Sequence, residues 1–165
     1  MNVLIANIFS GLGALLLAYS TFSKDKERML WIQVGDCACC VFGNAFIGSM
    51  SAMSTSLICT VRNILNAKGR LSQGLSYIFA IIIFLIGIIV NNRGLIGILP
   101  LIASVEYTVW SAKGKTPQSL RYALLTNLCL WFIHDLVVRL YPAMIMDIVV
   151  SGVTLVNILK YRKVE

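Results

Sequence analysis

The sequence predicts an all-α polytopic membrane protein of seven transmembrane helices, built as two parallel three-helix repeats joined by a linker helix (3+1+3). Three observations predict it. Of 165 residues, 58% are hydrophobic and 13% charged, with a mean hydropathy of +0.83; a soluble domain carries about a quarter charged residues. The charges are also segregated, with none before Lys24, none between Asp36 and Arg62 and none between Arg70 and Arg93. Such stretches suit helices that need about 20 residues to cross a hydrocarbon core. Finally, segments of the first half recur in the second. The apolar runs are continuous and do not alternate, which argues against a β-barrel.

The first helix is expected over about Asn2 to Phe22. It has no basic flank before it and no convincing cleavage site, and so reads as a retained helix. Between the basic loop Lys24, Lys26, Arg28 and the cluster Arg62, Lys68, Arg70 lies the segment Met29 to Val61. As one helix it would span about 50 Å at helical rise, too long for a single crossing. Two helices with a tight turn near Gly48 are expected instead. The same reasoning splits Ser119 to Lys160 at Pro142. Single crossings, about Gln73 to Val90 and Leu95 to Ala112, lie between these hairpins. The domains are then 1–70, a linker helix at 71–92, and 93–165.

Odd-numbered helices running outside to inside put Lys24, Lys26, Arg28, Arg62, Lys68, Arg70, Lys113, Lys115, Arg121, Lys160, Arg162 and Lys163 in the cytoplasm. Only Arg93 and Arg139 fall outside, so 12 of the 14 basic residues lie inside. This bias predicts an outer N-terminus and a cytoplasmic C-terminus. It also accounts for the net charge of +7 without nucleic acid.

The repeat is visible in short matches. Tyr19-Ser-Thr-Phe22-Ser23 resembles Tyr107-Thr-Val-Trp110-Ser111 at an offset of 88. At an offset of 94, Gln33 falls on Asn127, Gly48 on Pro142 and Asn63-Ile-Leu65 on Asn157-Ile-Leu159. The fourth helix has no cognate and no polar stripe, as a linker requires.

Polar residues inside the crossings mark the candidate site. Asp36, Glu106, Asp135 and Asp147 lie within helices, where each costs roughly 2.5–3.5 kcal/mol at a helix centre and therefore avoids lipid. Gln33, Asp36, Cys37, Cys40 and Asn44 share one face of the second helix, and Asn127, Trp131 and His134/Asp135 one face of the sixth. Pro100, Ser104 and Tyr107 add to the fifth, Asp147 to the seventh. The candidate pathway is Gln33, Asp36, Asn63, Pro100, Glu106, Tyr107, Asn127, Trp131, His134, Asp147 and Asn157. Pro100 in mid-helix can hinge the fifth helix, and Glu106 is the leading candidate for carrying a coupling proton.

Each has a simpler reading. Asp36 can pair with Arg62 as a structural ion pair, and Glu106 can be held by Arg62 or Tyr107. Asp135, Arg139 and Asp147 can form a solvated rim, and His134 can be a hydrogen-bonded bundle residue. Trp131 can be packing. Cys37-Ala-Cys39-Cys40 carries soft ligands suited to copper or zinc, but cysteines also pack helices, and no metal or other cofactor is expected. The small residues Gly48, Ala52, Ser56 and Thr60 suit close helix packing.

The chain resembles the YgjV-type bacterial inner-membrane proteins, grouped with the PQ-loop/SWEET superfamily. The resemblance rests on Phe22-Ser-Lys-Asp-Lys-Glu-Arg28, Arg62, Leu99-Pro100, Ile133-His134-Asp135 and Asn157-Ile158, and covers nearly the whole chain. It implies residence in the inner membrane, two three-helix bundles with a linker helix, and movement of small solutes such as sugars. The chain departs from the superfamily's proline-glutamine signature, since Pro100 is followed by leucine and Leu12 is not proline. Trp31, Trp110 and Trp131 form no WxxW motif. The expected function is a small-solute transporter or facilitator with alternating access between the bundles. The alternative is a non-transporting assembly or regulatory protein. No enzyme is expected, because neither an HExxH motif nor a nucleophile elbow is present. The expected partners are the bilayer and a small-molecule substrate; self-association is left open.

Overall fold

The computed structural model describes residues 2–161. Arg162 and Lys163, counted above among the inner basic residues, lie outside the described residues. The elements are α1 (Asn2–Ser20), α2 (Lys26–Phe46), α3 (Met50–Ala67), α4 (Gln73–Ile89), a 3-10 turn (Ile96–Ile98), α5 (Leu99–Lys113), α6 (Pro117–Val137) and α7 (Tyr141–Tyr161). Among the described residues there is no strand.

Local chemistry sets the helix ends. The Asp25 carboxylate accepts from the Glu27 and Arg28 amides at the start of α2, and Thr116 Oγ1 accepts from the Ser119 amide at the start of α6. Such caps satisfy amides that have no partner within the helix. Pro117 follows Thr116 in the first turn of α6, where its missing N–H is no loss.

The α2–α3 turn closes through Ser49 N–H to Asn44 C=O (3.0 Å) and Gly48 N–H to Ala45 C=O (3.1 Å). The α6–α7 turn closes through Leu140 N–H to Asp135 C=O (2.9 Å) and Arg139 N–H to Leu136 C=O (3.4 Å). Each turn needs one left-handed residue, Gly48 at φ 68° and Arg139 at φ 62°. The second turn is therefore at Arg139, ahead of Pro142, which lies in the first turn of α7. The turn expected at Pro142 therefore lies three residues earlier.

Helix α1 packs on α2 and α7, α2 on α3, α3 on α5, α5 on α6 and α6 on α7. Six helices thus close a ring, and α4 packs against it on α3 and α5. Hydrogen bonds sort the connections to two ends. At one end, the loop end, Lys26 Nζ donates to Ser111 and Gly114 carbonyls, and Arg121 donates to Thr21 and Ser23 carbonyls. At the other, the hairpin end, Asn92 Nδ2 and Arg93 Nη2 donate to the Gly48 and Ile47 carbonyls.

The ring is polar inside and apolar outside. Arg62, Asn63, Arg121, His134 and Asn157 are buried, whereas Ile81, Leu85 and Ile89 of α4 and Leu155, Val156 and Leu159 of α7 are exposed. This reverses the soluble pattern and suits surrounding lipid. Three helices are individually long and apolar enough to cross a membrane, Val3–Ser20, Lys26–Phe46 and Tyr141–Tyr161; α4 is apolar but shorter. In α3 the inward polar face lowers the apolar content.

Arg62 and Arg121, expected in inner loops, are instead buried within α3 and α6. Helix α5 starts at Leu99, so Pro100 sits in its first turn rather than in mid-helix. A proline there costs α5 no hydrogen bond.

Candidate functional site

The ring encloses a cavity of about 110 Å³, room for several waters at about 10–15 Å³ each or for one small solute. An apolar cluster lies towards each end. Met29, Leu30, Leu120, Leu124 and Leu128 cluster towards the loop end, and Ala6, Leu140 and Ala143 with Ile47 and Val138 at the hairpin end.

Helix α2 presents Gln33, Asp36, Cys37, Cys40 and Asn44, and α6 presents Leu124, Asn127, Leu128, Trp131 and Asp135. The three- and four-residue spacings put each set on one helix face. Helix α3 adds Ser56, Cys59, Arg62 and Asn63, α5 adds Ser104 and Tyr107, the α6–α7 turn adds Leu140, and α7 adds Ala143 and Asp147. Helix α1 contributes Ser10, Ala14 and Leu17. Gly13 lets α1 close on α2, since a β-carbon there would stand 2.9 Å from Asp36 Oδ1.

Arg62 is 2% exposed. Its Nε and Nη2 donate to Asn63 Oδ1 (3.1 and 2.7 Å) and its Nη1 to Thr108 Oγ1 (2.6 Å). The guanidinium also sits 5.0 Å from the Tyr107 ring centroid, within cation–π range. Tyr107 OH donates to Gln33 Oε1 at 2.7 Å, and Asn63 Nδ2 to Cys37 Sγ at 3.6 Å. The expected Asp36–Arg62 ion pair is not formed. Instead the Cys40 thiol donates to Asp36 Oδ1 at 3.6 Å, a weak interaction. Gln33 Nε2, Asn44 Oδ1 and Asp147 Oδ2 are buried with no hydrogen-bond partner.

Of the expected pathway, Gln33, Asp36, Asn63, Tyr107, Asn127, Trp131 and Asp147 share this cavity. The other four lie elsewhere. Pro100 is in the first turn of α5. His134 is fully buried behind Trp131, its ring edge-on to the indole at 5.5 Å, with Nδ1 2.8 Å from Asp135 Oδ1. Asn157 Nδ2 donates to Thr21 Oγ1 and ties α7 to the end of α1. Glu106 faces away from the cavity into a groove with Trp110, Lys113 and Ser119. Thr126 Oγ1 donates to Glu106 Oε1 at 2.9 Å, so neither Arg62 nor Tyr107 holds it. Asp135 and Asp147 are buried rather than set in a solvated rim; Arg139 alone of that group is exposed. Among the described residues no three His, Cys, Asp or Glu side chains converge to hold a metal.

Arg62 and the α1 face were missed as lining groups. Arg62 looked like a loop charge, yet Ser56, Cys59, Arg62 and Asn63 follow the spacing of one helix face. Ser10, Ala14 and Leu17 follow it too, but small and apolar types leave no polar signal.

The chain matches the Imp-YgjV family, described as bacterial inner membrane protein, over residues 4–165. No curated protein and no solved structure matches it.

Proposed function

We propose, from the premise that the chain belongs to the Imp-YgjV family of bacterial inner membrane proteins, that it moves a small polar solute across that membrane through the central cavity. One observation carries this reading. The cavity is lined by buried polar groups from five helices, and Gln33 Nε2, Asn44 Oδ1 and Asp147 Oδ2 have no protein partner. Unpaired buried polar atoms cost about 1–3 kcal/mol each, and a polar solute in the cavity would supply these three with partners. A solute site needs them open.

The mechanism is alternating access between two three-helix bundles, 1–70 and 93–165, with α4 as linker. Its support is a 91-residue register. Asp25 and Thr116 cap α2 and α6, both helices have 21 residues, and the turn hydrogen bonds of Gly48 and Ser49 recur at Arg139 and Leu140. The α1–α7 and α3–α5 contacts are related by the same exchange. The two apolar clusters are then the inner and outer gates, opening in turn as the bundles rock. An outer N-terminus and a cytoplasmic C-terminus follow from the basic residues gathered at the loop end, among them Lys24, Lys68, Arg70, Lys113 and Lys115.

The test is flux into liposomes carrying the purified full chain, followed as swelling under inward gradients of glucose, glycerol and small amino acids. Faster swelling than empty liposomes with at least one solute is expected. Rates equal to empty liposomes for all of them would contradict the proposal.

A further inference from the structure

We infer that the cavity accepts a small zwitterion of the α-amino acid class, its carboxylate against Arg62 and its ammonium against Asp36. The inference deepens the permease reading and rests on it.

The two ends of the polar lining differ in hydrogen-bonding sense. At one end Arg62 and Gln33 Nε2 present donors. The guanidinium is held by neutral acceptors, Asn63 Oδ1 and Thr108 Oγ1, which fill its geometry without cancelling its charge. Gln33 accepts from Tyr107 through Oε1, and its Nε2 donor group, buried in the same wall, has no partner. Beyond Gln33 the groups are acceptors. Asp36 lies one turn along the same face of α2, about 4.5 Å by helical rise. Its carboxylate receives a thiol at 3.6 Å, and Asn44 Oδ1 and Asp147 Oδ2 are unpaired acceptors further on.

Opposite charges thus line one cavity without meeting. Among the described residues the one ion pair within 4.0 Å is His134–Asp135. Cys37, next to Asp36 in sequence, and Asn63, next to Arg62, are joined by the 3.6 Å contact of Asn63 Nδ2 to Cys37 Sγ. A buried charge left unpaired costs several kcal/mol. A sugar answers neither kind of group, a simple anion answers Arg62 alone, and a simple cation answers only the carboxylates, Asp36, Asp135 and Asp147. A solute with a carboxylate and an ammonium on the same carbon answers both at once, and its carboxylate also receives the Gln33 donor. Guanidinium and carboxylate are complementary in plane and charge. Leu124, Leu128 and Trp131 across the cavity give a small side chain an apolar wall.

The experiment is thermal unfolding of the full chain in lipid nanodiscs with millimolar solutes. The panel comprises the proteinogenic amino acids, the amide and N-acetyl derivatives of alanine, acetate, methylammonium and glucose. At least one amino acid is expected to raise Tm by about 4 °C or more. For alanine, blocking either charged group should remove the shift. Asp36→Asn and Arg62→Gln should each abolish the response while retaining a cooperative unfolding transition. If a variant does not fold, the wild-type panel decides alone. No shift with any amino acid, or equal shifts with the blocked derivatives, would overturn the inference. A shift with glucose alone would overturn it and leave the permease reading standing. An amino-acid shift with no flux of that amino acid would keep the site and overturn the permease reading.

Discussion

The α2–α3 and α6–α7 hairpins turn through the same hydrogen bonds and line the same cavity, yet bring different chemistry to it. Aligned on their turns, Asn44 faces Asp135 in register, Asp36 faces Asn127, Ser56 faces Asp147 and Arg62 faces Val153. Each of the first three pairs holds one acid, matched by an amide or a hydroxyl. Two carboxylates at one level of a low-dielectric cavity would repel strongly. The backbone demands of the turn and the caps hold the hairpins alike, whereas the cavity positions diverge so that charges alternate. Arg62, the one cation among the described residues that line the cavity, belongs to the first hairpin, and the position matched to it by this alignment is Val153.

The largest effect should therefore come from that cation. Arg62→Leu leaves Asn63 Oδ1 and Thr108 Oγ1 without their donor, which should cost about 1–3 kcal/mol and abolish flux. Val153→Leu, at the matching level of α7, should stay within about 1 kcal/mol and keep flux. Thermal unfolding and liposome swelling of the two variants side by side would settle the contrast; similar losses would break it.

The caps should behave alike. Asp25→Ala and Thr116→Ala should each lower stability by about 1 kcal/mol, with Asp25 the larger because it accepts two amides. A negligible change at either would mean that the helix start is fixed by packing alone.

The turns should give small effects of opposite sign. Gly48→Ala places a β-carbon at φ 68° and should destabilise by about 1 kcal/mol. Arg139→Gly relieves the same conformation at φ 62° and should stabilise by less than about 1 kcal/mol, because the unfolded chain gains freedom. Equal signs in denaturant unfolding would show that the two turns are not equivalent.

Much of this was legible before the structure. The charge gaps located the helices, and the basic clusters at both ends of 29–61 required a hairpin. The polar faces of α2 and α6 came from spacing alone, and they converge on the cavity. The register was harder. Gly48 announces a left-handed turn, but Arg139 does not, and Pro142 drew the expected turn three residues too far. Pro100 misled for a related reason, since a proline marks a first turn as readily as a kink. Glu106 carried a membrane-embedded charge but is turned about 100° around α5 from Tyr107, into a separate groove, and only packing reveals which side faces the cavity. Arg62 shows the limit of counting charges, because a basic residue near a helix end can point into the bundle.

The central claim is that solute reaches the cavity between the hairpins. The direct test uses a charged, membrane-impermeant methanethiosulfonate on chains retaining a single native cysteine in liposomes. Cys40 lines the cavity, whereas Cys129 lies on the exposed outer surface of α6. The account predicts that Cys40 is modified as the bundles rock and that transported solute slows the reaction. Cys129, shielded by lipid, should react only after detergent denaturation. Ready modification of Cys129 with an inert Cys40 would contradict it.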